Sequence, residues 1–106
     1  MNSRDKGARG EREFAAFLAA HGFKARRGQQ FCGIEGDDVV SEALPQFHFE
    51  VKRVERLNVT EAMEQAKRDA RDRVPVVAHR RNACEWLITM RGEDWCQLLS
   101  ESLPVA

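Results

Sequence analysis

No apolar run in the chain approaches the roughly 20 residues of a membrane span, which excludes a spanning helix. Cysteine is scarce: Cys32, Cys84 and Cys96 are odd in number and widely spaced, so neither a disulfide framework nor a C-x-x-C pair exists. Together with His21, His48 and His79 they give no zinc spacing. Proline is equally rare, at Pro45, Pro75 and Pro104, and no repeat or low-complexity tract offers a linker. The first ten residues are polar and basic and lack the apolar stretch of a secretion signal. At 106 residues there is room for one core. These absences predict a reduced, cytoplasmic, single domain over residues 1–106.

Apolar residues make up 42% and charged residues 32%, which suits a compact soluble domain. The net charge is zero, but the charges are segregated. Residues 1–30 carry seven bases against three acids, and residues 31–50 carry five acids and no base. Residues 51–81 carry nine bases and five acids, and the remainder one base and four acids. Basic blocks flanking a short acidic block fit a phosphate-binding surface around a carboxylate cluster. They equally fit an ordinary solvated surface.

Phe14, Phe17 and Leu18 recur at helical spacing, predicting a helix over Ser3 to His21 with Gly22 as its stop. Phe23 to Arg27 reads as a short strand, Gly28 to Gly36 as a mobile loop, and Asp38 to Ala43 as a second strand. After a turn at Pro45, residues 47–52 alternate apolar and polar with a period of two. Thr60 is the expected N-cap of the next helix, which carries Glu61 and Glu64 in its first turn and runs toward Pro75. Pro75 to His79 reads as a strand. A turn at Arg81-Asn82-Ala83 leads to its hairpin partner, Glu85 to Met90. Gly92 to Ser100 reads as a closing helix carrying Trp95, Leu98 and Leu99. The order α-β-β-β-α-β-β-α describes a small α/β (α+β) domain with one mixed sheet flanked by helices.

The strand over residues 47–52 carries the chemistry. Its pleat sends Phe47, Phe49 and Val51 to one face and His48, Glu50 and Lys52 to the other. The turn at Pro45 folds Asp38 back against this strand, within reach of Glu50. Two carboxylates and a backbone carbonyl, that of Val51, suit Mg²⁺ or Mn²⁺. A lysine beside them suits phosphodiester hydrolysis, in which it orients the attacking water or stabilises the transition state. The bland alternative is a solvated cross-strand pair.

In this order, Lys6-Gly7-Ala8-Arg9-Gly10-Glu11-Arg12-Glu13, His21-Gly22-Phe23 with Arg27, Asp37-Asp38-Val39-Val40, Phe49-Glu50-Val51-Lys52 and Pro75-Val76-Val77-Ala78 carry a resemblance. The chain resembles the PD-(D/E)xK restriction-endonuclease-like nucleases, and within them the small archaeal and phage-type Holliday-junction resolvases. The resemblance covers residues 6–80 and leaves 82–106 as a C-terminal extension. It implies a restriction-endonuclease-like core, metal ligation by Asp38 and Glu50, and Lys52 as the catalytic lysine. It also implies a first-helix acid at Glu11 and DNA contacts from Arg12, Arg27 and Lys6. The helical wheel sets Glu11 on the border of the apolar stripe and Arg12 nearly opposite it. As a residue alone, Glu11 is equally a favourable first-turn acid. The resolvases often carry Pro-Asp where this chain has Asp37-Asp38, so Asp37 competes as ligand. The acid followed by two apolar residues fits Asp38.

Remaining candidates each have an ordinary alternative. His48 shares the face of Glu50 and Lys52, but most such histidines are half-exposed strand residues. Gln65 stands where some related nucleases set a glutamine near the site, and otherwise faces solvent. Lys67, Arg68, Arg71 and Arg73 are interrupted by Asp69 and Asp72 and read as a salt-bridged helix. Arg80-Arg81 at the hairpin tip is a better phosphate contact. Trp86 and Trp95 read as core or interface aromatics. The reading that unites these residues is a Mg²⁺- or Mn²⁺-dependent DNA endonuclease selective for branched DNA, acting as a homodimer. It would work at the nucleoid of a bacterial, archaeal or phage-infected cell. The alternatives are a nuclease of flaps, ends or single strands, or a catalytically silent nucleic-acid-binding subunit with the same fold.

Overall fold

The computed structural model describes residues 3–28 and 37–104, with side chains from residue 7 onward. The side chain of Lys6 and residues 29–36, which hold Cys32 and most of the expected loop, lie outside the described residues. Eight elements follow in the expected order: α1 (Ser3–Ala20), β1 (Arg26–Arg27), β2 (Val39–Val40), β3 (Phe47–Arg53), α2 (Val59–Ala70), β4 (Val74–Arg80), β5 (Leu87–Met90) and α3 (Gly92–Ser102). The sheet is mixed, in the order β1-β2-β3-β4-β5. Only β3 and β4 run parallel, because α2 crosses over between them.

α1 buries Phe14, Ala15 and Leu18 against Val39, Phe49, Val51, Val76 and Ala78. Phe14 is fully buried, with ring centroids 5.5 Å from Phe49 and 5.0 Å from Trp86. The approach is close enough that a Cβ on Gly10 would sit 2.9 Å from the Arg53 Cβ on β3. Gly22, at φ +92°, ends the helix in the left-handed conformation that glycine adopts freely. On the opposite face, α2 applies Ala62 and Ala66 to Val77 of β4. Alanines at four-residue spacing let the helix backbone approach the sheet. With both faces covered, the alternation of β3 separates two buried environments rather than core from solvent.

Several boundaries differ from the sequence reading. Asn58 caps α2 in place of Thr60, its side-chain oxygen accepting from the Glu61 N–H at 3.0 Å. The helix stops at Ala70, where Arg71 turns to φ 58°, well before Pro75. β2 is two residues long because Ser41 begins a turn, its carbonyl accepting from Leu44 N–H. Its hydroxyl meanwhile donates to the Lys24 carbonyl at 2.7 Å. β5 starts at Leu87 because Trp86 leaves the strand line to pack on Phe14 and Phe17. α3 buries no residue, and Trp95 is 54% exposed, so Trp95 is no core aromatic. Among the described residues no helix is long and apolar enough to cross a membrane.

Candidate active site

The register of β2 on β3 pairs Val39 with Phe49. One step further along an antiparallel pair sets Asp38 opposite Glu50, on the same face. Asp38 is locked there by the residue that follows Glu50: the Val51 N–H donates to Asp38 Oδ2 at 2.9 Å. A strand residue's N–H and C=O leave toward the same side, so the Val51 carbonyl opens toward Asp38 as well. Glu50 is 4% exposed. Burial first, and then the Glu50 charge, push the Asp38 carboxyl up from 3.8 to about 7; Glu11 adds to this, while the Val51 N–H and Lys52 oppose it. A half-buried acid is thus held near a fully buried one.

Lys52 stands two residues beyond Glu50 on the same face, its Nζ 3.6 Å from Glu50 Oε1. The ammonium also donates to Gln65 Oε1 on α2 at 3.3 Å, so Gln65 turns toward the site rather than solvent. Glu11 on α1 accepts from the Arg27 guanidinium, bridging α1 and β1. Its charge reaches Asp38, but its hydrogen-bond partner is Arg27.

Asp37 and His48 depart from expectation. His48 is 1% exposed, not half-exposed, because α2 and the segment entering β2 close over it. Its Nδ1 lies 2.6 Å from Asp37 Oδ1. The other side of that carboxylate is gripped by Arg73, with bonds of 2.6 and 2.7 Å. Burial alone would raise the Asp37 carboxyl, but the Arg73 and His48 hydrogen bonds outweigh it and hold it below its ordinary value. Both Asp37 oxygens are therefore committed, whereas Asp38 uses Oδ2 on a backbone N–H. For His48, burial favours the neutral ring, but Glu50 and Asp37 outweigh it and lift its affinity for a proton.

Asp69 and Arg73 were read from the sequence only as members of a salt-bridged, mixed run of charges, and neither was assigned to the site. Asp69 brings a carboxylate oxygen to the His48 ring and Glu50, with the ligand atoms of all three within 4.8 Å of one another. The available signal was spacing: Gln65 and Asp69 are four apart on α2, hence on one face, above alternate residues of β3. Arg73 had no signal, since only the fold brings it to Asp37.

The basic candidates divide. Arg12 and Arg81 are exposed, and Arg27 is 47% exposed at its side chain though paired with Glu11. Arg80 is half-buried, its guanidinium 5.4 Å above the Trp86 ring and its Nε buried without a partner among the described residues. The hairpin tip therefore offers Arg81 to solvent and spends Arg80 on the core.

No protein-family model and no curated protein matches the chain. Among solved structures it is similar to Archaeoglobus fulgidus Hjc, a Holliday junction resolvase from an archaeal hyperthermophile. The TM-score is 0.56 with 24% identity, over 80% of this chain and 72% of that one. The shared fold is the restriction-endonuclease-like one, with its mixed sheet flanked by helices.

Proposed function

We propose that the protein is a divalent-metal-dependent DNA endonuclease, selective for branched DNA in the manner of a Holliday-junction resolvase. The observation that carries this is the half-buried Asp38 set against the buried Glu50, with Lys52 beside them. Burial and mutual repulsion raise Asp38 to about 7, an arrangement whose strain a cation relieves. All-oxygen donors, namely Asp38, Glu50 and the Val51 carbonyl, fit Mg²⁺ or Mn²⁺. When bound, such a cation neutralises charge on the scissile phosphate and acidifies the attacking water.

The chain's own residues do the rest. Lys52, held between Glu50 and Gln65, presents its ammonium to a phosphate oxygen or to the water. Glu11 keeps Arg27 at the rim, and Arg12 and Arg81 supply exposed charge for the DNA backbone. The fold shared with the archaeal resolvase supports the substrate class. Two symmetric cuts require two sites, and the homodimer that supplies them has apolar surface to form on. Leu87 and Ile88 on the edge strand and Trp95, Leu99 and Leu103 at the C-terminal end are all exposed.

The test is cleavage of a four-way junction, a flap, a single strand and linear duplex with Mg²⁺. Wild type is compared with Asp38→Asn, Glu50→Gln and Lys52→Met, each checked for folding and for junction binding. Junction cleavage lost in all three variants with binding retained is the expected result. Cleavage of flaps or single strands instead corrects the substrate; binding without any cleavage makes the protein a silent subunit; full activity in the variants refutes the site.

A further inference from the structure

We propose that His48, Glu50 and Asp69 form a binding site for a first-row divalent transition metal, adjoining the Asp38–Glu50 pair and sharing Glu50 with it. The site does not depend on the nuclease reading, since two of its three donors, His48 and Asp69, have no part in phosphodiester hydrolysis. Three donor atoms from β3 and α2 lie within 4.8 Å of one another. A metal at its usual bond lengths of about 2.1 Å needs ligand atoms roughly 3–4 Å apart, so small side-chain movements suffice.

A second observation aims the histidine. Its Nε2 is buried and, among the described residues, has no hydrogen-bond partner. Glu50 Oε2 is its nearest carboxylate, 3.5 Å away, near enough to attract a proton or a cation to that nitrogen but too long for a strong bond. Leaving a buried ring nitrogen unbonded is destabilising unless something fills it. The opposite ring nitrogen is anchored as metal-bound histidines usually are, by a carboxylate that fixes the tautomer and orientation. Here that carboxylate is Asp37, itself clamped by Arg73. The chain Arg73–Asp37–His48 therefore aims Nε2 at Glu50 and Asp69.

Glu50 can serve both sites because its oxygens face different ways. Oε1 is toward Lys52 at 3.6 Å and Oε2 toward His48 at 3.5 Å. An imidazole nitrogen selects against Mg²⁺, Ca²⁺ and Mn²⁺, which favour oxygen, and for Zn²⁺, Fe²⁺ or Ni²⁺.

The experiment uses the whole chain without DNA. Zn²⁺ is titrated calorimetrically into wild type, His48→Asn, Asp69→Asn and Asp38→Asn, and the nitrogen-15 resonances of the three histidines are followed. His48→Asn keeps an N–H for Asp37 and removes only Nε2. Zn²⁺ affinity is expected to fall roughly tenfold to a hundredfold in the first two variants and to persist in Asp38→Asn. In wild type the His48 Nε2 resonance is expected to shift with Zn²⁺ and not with Mg²⁺, a readout that survives if a variant fails to fold. An Nε2 resonance that stays protonated and unmoved at saturating Zn²⁺ overturns the proposal, as does undiminished affinity in Asp69→Asn. Neither result touches the cleavage assay, so the two readings fail separately.

Discussion

Replacing Asp38 by asparagine is expected to stabilise the metal-free protein at pH 8 while abolishing cleavage. The carboxyl rises from 3.8 to about 7 on folding, chiefly through burial and then through Glu50. The folded state consequently binds more protons than the unfolded state between about pH 4 and pH 7. Stability therefore falls as pH rises through that window and levels off above it. At about 1.4 kcal/mol for each tenfold change in proton affinity, the full effect is roughly 4 kcal/mol. A gain of about 2–4 kcal/mol at pH 8 is therefore expected. Asparagine retains an acceptor for the Val51 N–H, so the bond at 2.9 Å survives the substitution. Urea unfolding at pH 4, 6 and 8, followed by tryptophan fluorescence, measures the difference between the two proteins. It is expected to be near zero at pH 4 and to grow with pH. Adding Mg²⁺ at pH 8 is expected to close it by stabilising wild type alone. Equal stabilities at pH 4 and pH 8 in the absence of metal would refute the claim that two acids are crowded here.

Further substitutions probe the frame that holds the site. Phe14→Ala removes a fully buried ring packed on Phe49 and Trp86 and is expected to destabilise by about 3–5 kcal/mol, measured by chemical denaturation. Asn58→Ala is expected to lose about 1 kcal/mol as the α2 cap, whereas Thr60→Ala, one residue inside the helix, is expected to change stability by less; comparing their midpoints checks the assignment. Gly28→Ala drives a Cβ to within 1.7 Å of the Asp37 carbonyl oxygen, so it is expected to displace the segment leading to Asp38. Junction cleavage is then expected to fall more than global stability, read by activity beside thermal melting.

The element order, the mixed sheet and the face shared by His48, Glu50 and Lys52 were legible in the chain itself. A period of two on β3, a period of 3.6 on α1 and glycine at the α1 terminus are local patterns, set by backbone geometry within a few residues. Boundaries were less legible: the choice between Asn58 and Thr60 turns on which side chain reaches a free N–H, and Trp86 left its strand for a partner on α1. Only tertiary structure decided which polar residues would be dry. His48 read as a half-exposed strand residue and Glu50 as compatible with a solvated pair with Lys52 until α2 covered them, because burial depends on what packs against a face and not on the alternation that creates it. Tertiary structure likewise separated Asp37 from Asp38, adjacent in sequence and identical in chemistry. One was delivered to Arg73, 36 residues away, and the other to the Val51 backbone. Distances across the fold, not neighbours along the chain, set their charges apart.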